Sequence, residues 1–303
     1  MFQSLFAHFK DENATATQIQ KECRKSILGI EAHFYGVLAF LPELRQMVRV
    51  EQNPADRKYS ASSEDAKLTF DLICDNPFLD QLEQAPVMKD FLKKPSIDWS
   101  QEKDLLLVIY KEIRQKDEFN ALKAIEDITE RSFKLAVLCY KHLIKESVDF
   151  EHFMEEQIIV WYDEKIPILK SLEKMFTSFE ETATLTIPEV SRDLEEDLEF
   201  ADILITEYMA HYTELEETLG KYTPGWDSDR IMKIDYVLMC MALCEFKFLP
   251  FVPVKVSINE YIEIAKMYST PKSSKFLNGT LDKILKDWQS TGAINKTGRG
   301  LIG

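Results

Sequence analysis

Apolar residues recur every three to four positions along most of the chain, the period of an α-helix with one buried face. In "MFQSLFAHFKDEN" the residues Phe2, Leu5, Phe6 and Phe9 share such a face, and the pattern is already under way at Met1 with no capping residue ahead of it. A second helix is predicted from about Thr15 to Arg49, interrupted at Pro42, which lacks a backbone donor. "EQNPADRKYSASSEDAK" (51–67) is polar and turn-rich and reads as a loop or linker. From there to about Glu118 run shorter apolar pieces broken by Pro77, Pro86 and Pro95. Helical periodicity resumes in "ITERSFKLAVLCYKHLIKE" and "FEHFMEEQIIVWYDEKIPILKSLEKMF". A further long helix, "SRDLEEDLEFADILITEYMAHYTELEETLGKY", is predicted to end at Gly220 and the "TPGWDSD" turn.

The last quarter carries the clearest signals. "DSDRIMKIDYVLMCMALCEFKFL" offers Asp or Ser as a cap and sets Ile231, Ile234, Leu238, Met241, Ala242 and Phe246 on one face. Ser257 and Glu260 have capping-box spacing, which would start a helix at "SINEYIEIAKMY". "STPKSSKFLNGTLDKILKDW" offers Ser269 or Thr270 as N-cap and Pro271 as the first helical residue. Inside that helix sits Asn278-Gly279, a turn dipeptide whose glycine costs about 1 kcal/mol relative to alanine. A glycine there would let another backbone approach closely, and Asn278 would bond a neighbouring segment, so packing is the expected role of Asn278 and Gly279. The tail "INKTGRGLIG" is expected to fray.

Few glycines interrupt these segments, only Gly29 and Gly36 between Met1 and Leu219, and the fold class predicted is all-α. The 303 residues suffice for one elaborate domain or two intimate ones. No uninterrupted apolar run approaches the roughly 20 residues of a membrane span, and no basic region followed by an apolar core opens the chain. Cys23, Cys74, Cys139, Cys240 and Cys244 form no CxxC pair, and no histidine lies nearby at ligand spacing. Buried reduced thiols are expected, in a reducing and hence cytoplasmic compartment.

The net charge of −15 argues against a general nucleic-acid binder, but the charge is uneven. Of 37 basic and 52 acidic residues, 11 and 8 lie from Trp226 onward, net +3, leaving 26 against 44 ahead of it, net −18. A local anionic ligand at the C-terminal end is compatible with that balance. No P-loop, GxGxxG, HExxH or GxSxG motif occurs, and His8, His33, His142, His152 and His211 are scattered. "EEDLEF" (195–200) reads as a solvated helix face and "WYDEK" (161–165) as a helix with an aromatic core edge. Nothing gives positive support to an enzyme, a cofactor or a metal site.

"DRIMKIDYVLMCMALCEF", "PVKVSINEYIEIAKMYST" and "KSSKFLNGTLDKI" together resemble the C-terminal half of the NusB family of bacterial transcription antitermination factors. The resemblance rests on Asp235, Glu245, Val252-Pro253, Ile258-Asn259-Glu260, Ala265-Lys266, the run Ser273 to Gly279 and Leu281-Asp282, roughly 60 residues in three ordered blocks. "MFQSLFAHF" is similar to the family's first helix, with Gln3, Leu5 and Phe6 in register.

The resemblance implies a NusB-like helical bundle of two packed helical subdomains, with an additional helical insertion. Its division would be N-terminal helices over 1–50, an insertion over 51–130, long helices completing the bundle over 131–225, C-terminal helices over 226–290 and a tail over 291–303. It further implies a non-enzymatic factor that pairs with a NusE-type small-subunit ribosomal protein, grips boxA-like RNA and joins the RNA polymerase elongation complex to support transcription of ribosomal RNA operons. RNA contacts then fall to Gln3, Lys272, Ser273, Lys275 and Phe276, and NusE-like contacts to Asp235 and Phe6. Two departures stand out. The family's arginine-rich segment before the first helix is not seen, because Met1 sits where that helix is under way; either the true start lies upstream of Met1 or this form has lost the arm. The Asp-Arg-x-x-Leu-Arg pattern of the fifth helix appears as Asp235-Tyr236-Val237-Leu238-Met239-Cys240, without either arginine. The alternatives are a NusB-fold protein scaffold without RNA binding, and an RNA-binding domain related to those of ribosomal-RNA methyltransferases.

Overall fold

Helices α1 (Phe2–Ala7), α2 (Ala16–Leu38), α3 (Phe40–Glu51), α4 (Pro77–Gln84) and α5 (Pro86–Lys93) open the chain. They are followed by α6 (Lys103–Arg114), α7 (Asp117–Ala121), α8 (Ile128–Lys145), α9 (Val148–Gln157) and α10 (Trp161–Thr182). The last four are α11 (Leu194–Tyr222), α12 (Lys233–Phe248), α13 (Val254–Tyr268) and α14 (Ser273–Thr291). This computed structural model describes all residues except 10, 12, 52–70, 159, 192, 224–231 and 302–303, and among the described residues no strand occurs. The all-α class is as the periodicity predicts. Two compact units divide the chain, one of residues 1–27 with 193–303 and one of residues 28–192. Contact sets these boundaries, whereas the division at 50, 130 and 225 follows resemblance to shorter sequences.

In the 28–192 unit, prolines start helices more often than they break them. Pro77 and Pro86 occupy first helical positions, and Asn76 caps α4 by accepting the Leu79 N–H at 3.0 Å. Pro42 lies in the first turn of α3, and the expected interruption falls three residues earlier, at Ala39. Lacking an N–H, Pro42 leaves the Leu38 carbonyl without its helical partner, and the buried Tyr140 hydroxyl donates to it at 2.7 Å. The 16–50 stretch contains an 18-residue window of mean hydropathy 1.3. Phe34, Val37, Leu38, Phe40 and Leu41 from that stretch lie in this unit's core. Gly36 packs closely there: a Cβ on it would lie 2.5 Å from the Ile97 side chain, which would have to shift. Phe78, Phe133 and Phe179 cluster with ring centroids 5.0–5.1 Å apart where those rings meet Phe179. From "WYDEK", Trp161 and Glu164 are buried, with Glu164 paired to His33.

In the other unit, α1, α11, α13 and α14 pack around α12. Every residue from Asp235 to Phe246 is buried, so α12 is enclosed all round rather than on the single predicted face. Several boundaries differ from the sequence reading. The Asp and Ser proposed to cap α12, with Ile231 and most of the "TPGWDSD" turn, lie outside the described residues, and the helix begins at Lys233 without a side-chain cap. α11 runs through Gly220 to Tyr222, and the Thr223 hydroxyl closes it by donating to the Leu219 carbonyl at 2.8 Å. α13 begins at Val254, which places Ser257 inside the helix rather than at its cap. α14 begins at Ser273, two residues beyond Pro271, and neither Ser269 nor Thr270 caps it.

The tail is docked rather than frayed. The Lys296 ammonium donates to the Glu245 and Leu249 carbonyls at 2.7 and 2.9 Å, capping the C-terminal end of α12. The Thr297 N–H donates to the Pro250 carbonyl at 2.9 Å, and a Cβ on Gly300 would lie 2.0 Å from that same oxygen. All five cysteines are buried and unbridged, and burial pushes the thiols of Cys139, Cys240 and Cys244 up.

Candidate nucleic-acid interface

α14 buries Leu277, Leu281, Ile284 and Trp288, the face its spacing predicts. That orientation turns Lys272 and Lys275 outward at its first turn, where both are exposed. No side-chain hydroxyl caps this turn, so its backbone donors and the positive end of the helix dipole favour an anion there. Phe276 is half-buried against the core of its unit. Ser273 is buried, and its hydroxyl lies 2.8 Å from those of Ser269 and Thr270. Its expected role as a phosphate contact therefore gives way to a structural one in holding the loop before α14.

Gln3 reaches the same place from the other end of the sequence. Its amide donates to the Tyr268 hydroxyl at 3.3 Å, beside the Phe2 ring, whose centroid is 5.4 Å from that of Tyr268. Phe2 in turn packs on Phe6 at 5.6 Å, leaving Phe6 half-buried. Asp235, expected as a NusE-like contact, is 4% exposed and so offers little surface of its own. Its carboxylate accepts the Ser269 hydroxyl at 2.6 Å, so it anchors the loop from beneath. Asn278 and Gly279 are exposed, and a Cβ on Gly279 would meet nothing within 4 Å. The close packing expected at this pair is not made among the described residues, because both lie on the face of α14 turned away from the core.

The structure thus joins Gln3, Asp235 and the start of α14 through Tyr268, Ser269 and Thr270. Those three connectors were missed as site residues: Ser269 and Thr270 read as caps, and Tyr268 as the end of an apolar pattern. A hydroxyl triplet at 269, 270 and 273 was the available signal.

A second buried carboxylate lies in the last turns of α12. Glu245 accepts hydroxyls from Ser257 and, at 2.6 Å, from Tyr261. Burial raises its pKa, while those two hydrogen bonds and the Lys296 ammonium oppose the rise. Lys296 is itself lowered to about 8 by burial, against the pull of Glu245.

Residues 168–286 match the model of the NusB family. The chain is 47% identical over 105 residues to the transcription antitermination protein NusB of Salinibacter ruber, over 35% of this chain and 66% of that protein. Residues 168–286 form a NusB family domain. The NusB of Chloroherpeton thalassium is 38% identical over 138 residues, covering 45% of this chain and 64% of the relative. The chain thus spans just under two thirds of the length of these curated relatives. A solved T. maritima NusB aligns at 25% identity and a TM-score of 0.30, over 54% of this chain and 94% of that one. Asp235, Lys272, Ser273, Lys275, Phe276, Asn278 and Gly279 fall inside the NusB domain, whereas Gln3 and Phe6 precede it.

Proposed function

We propose that the chain is a transcription antitermination factor that binds boxA-like RNA together with a NusE-type small-subunit ribosomal protein. It acts in the cytoplasm with the RNA polymerase elongation complex, supports processive transcription of ribosomal RNA operons and performs no enzymatic step. The observation that carries this reading is the NusB domain itself, whose helix α14 presents Lys272 and Lys275 at an uncapped N-terminal turn. The two ammonium groups and the helix end take phosphates, Phe276 offers a ring edge to a base, and Gln3 adds a hydrogen-bonding amide from α1. Phe6 supplies the NusE-type contact, and Asp235 serves it indirectly by fixing the loop. The bare strip at Asn278 and Gly279 gives a partner backbone room to approach.

Electrophoretic shift of boxA-like RNA by the full chain, with and without a NusE-type protein, tests this. Specific binding by the pair is expected. Lys272→Glu with Lys275→Glu should weaken it about tenfold or more and flatten the log–log salt slope by about 1.4, two single-strand phosphates' worth. Unchanged binding in that variant removes α14 from the RNA site. A second reading, a protein scaffold of NusB fold, is favoured by the −18 charge of residues 1–225. NusE-type pairing without any RNA affinity would select it.

A further inference from the structure

An apolar groove of about 810 Å3 opens between the start of α11 and the segment joining α12 to α13, within the range of binding pockets. Phe200 and Ile203 form one wall and Phe251, Val252 and Val256 the other. The Phe200 and Phe251 rings meet edge to face at 6.4 Å, yet Phe251 remains 41% and Val256 47% exposed. The rim is acidic, with Glu196, Asp197 and Glu199 all exposed. Among the described residues lining the groove, the one cation is Arg299 from the chain's own tail, which donates to the Glu196 carboxylate at 3.1 Å.

We propose that this groove binds a basic amphipathic segment of a partner protein. Apolar side chains of that segment lie on the Phe200–Phe251 floor, and its arginines or lysines lie along the carboxylate rim. Charge complementarity selects this occupant: the floor is apolar, the rim is anionic, and Arg299 already occupies the rim as a guanidinium from the partner would. The Arg299–Glu196 pair is exposed on both sides, so it binds weakly and is displaceable. Lys296 and Thr297 hold the tail through other bonds, so Arg299 can yield its place while the tail stays docked.

This site is separate from the RNA interface. Asp235 and its loop lie at the first turn of α12, whereas the groove follows its last, about 20 Å further along a helix rising 1.5 Å per residue. The proposal stands without the antitermination reading, because its test contains no RNA and no NusE-type protein.

The probe is a fluorescein-labelled helical peptide with leucines on one face and arginines on the other, titrated against the full chain by fluorescence anisotropy. Binding is expected, weakened about tenfold by Phe251→Asp, as for a buried apolar anchor. Glu199→Lys should weaken it about threefold, and Arg299→Ala should tighten it about threefold by removing the competitor. Thermal melts check folding, and Val256→Asp replaces Phe251→Asp if the latter unfolds. No binding overturns the proposal. So does equal affinity for oligoarginine with no effect of Phe251→Asp, which would mark an unspecific acidic surface. Sedimentation showing self-association of the chain that Phe251→Asp abolishes would assign the groove to a second copy and also overturn it.

Discussion

Helix α12 carries a buried carboxylate near each end, and the two are stabilised by different means. Asp235, in the first turn, lies where the helix dipole favours negative charge, and its carboxylate accepts the Ser269 hydroxyl from the α13–α14 loop. Glu245, in the last turns, lies where the dipole opposes it. Two hydroxyls are not enough there: burial raises its pKa, and a lysine from the tail is brought to the helix end. A lysine thus sits near the carboxylate at the C-terminal end, bonded to the main-chain carbonyls there, whereas a hydroxyl bonds the carboxylate at the N-terminal end. Position along the dipole decides which hydrogen bonds suffice.

The sharpest way to break this comparison is Asp235→Lys. It puts a cation into a buried site at the positive end of the helix and strips Ser269 of its acceptor. A loss of about 3–5 kcal/mol is expected in denaturant unfolding. A loss under about 1 kcal/mol would return Asp235 to the surface. Glu245→Ala comes next, at about 3 kcal/mol, because two buried hydroxyls lose their acceptor. Adding Ser257→Ala and Tyr261→Phe should recover part of that loss, and strict additivity would show that the three do not act together.

Lys296 gives a pH signature. Its folded-state pKa is depressed to about 8 from 10.5, so the folded chain sheds this proton before the unfolded chain does. Stability from this group therefore rises as pH climbs from about 8 toward 10.5, and it is lost as pH falls through 8. After discounting for its half-exposed position, the difference in unfolding free energy between wild type and Lys296→Met should change by about 1 kcal/mol across that window. A flat difference would show that the Lys296 ammonium is solvated rather than buried against the end of α12. The smallest effect concerns Gly279. Gly279→Ala should stabilise by about 0.5–1 kcal/mol, since the site is helical and open. If the same variant also weakens NusE-type binding, the glycine is kept for an external contact.

The elements were legible wherever a period of 3.6 had room to repeat, as in α8, α11 and α14. The buried face of α14 follows directly from Leu277, Leu281, Ile284 and Trp288. What escaped was chemistry decided by distant partners. Ser257 and Glu260 have the spacing of a capping box, yet Ser257 donates to Glu245, twelve residues upstream on another helix. Asp235 reads as a partner contact because the resemblance gives no sign of its burial, which the Ser269 hydroxyl from the α13–α14 loop accompanies. The Gly-rich tail looked loose for want of side chains, but Gly300 lacks one because the Pro250 carbonyl occupies the space. Lys272 and Lys275 were legible as exposed cations. Ser273 was not legible as buried, because its partners share its own chemistry and resemble caps.

The hydrogen bond between Gln3 and Tyr268 spans 265 residues of chain. The unit that contains it is built from residues 1–27 and 193–303, so α1 must wait for the last helices before its apolar face is covered. The 28–192 unit is contiguous and has all its own parts earlier in the chain, while the core around Phe2, Leu5 and Ile19 needs residues from beyond 193. Closing so long a loop costs chain entropy that the contiguous unit does not face, although that cost grows only slowly with length. The surface that joins Gln3 to α14 therefore needs residues from both ends of a 265-residue separation before it exists, which makes that interface a reporter of long-range rather than local folding.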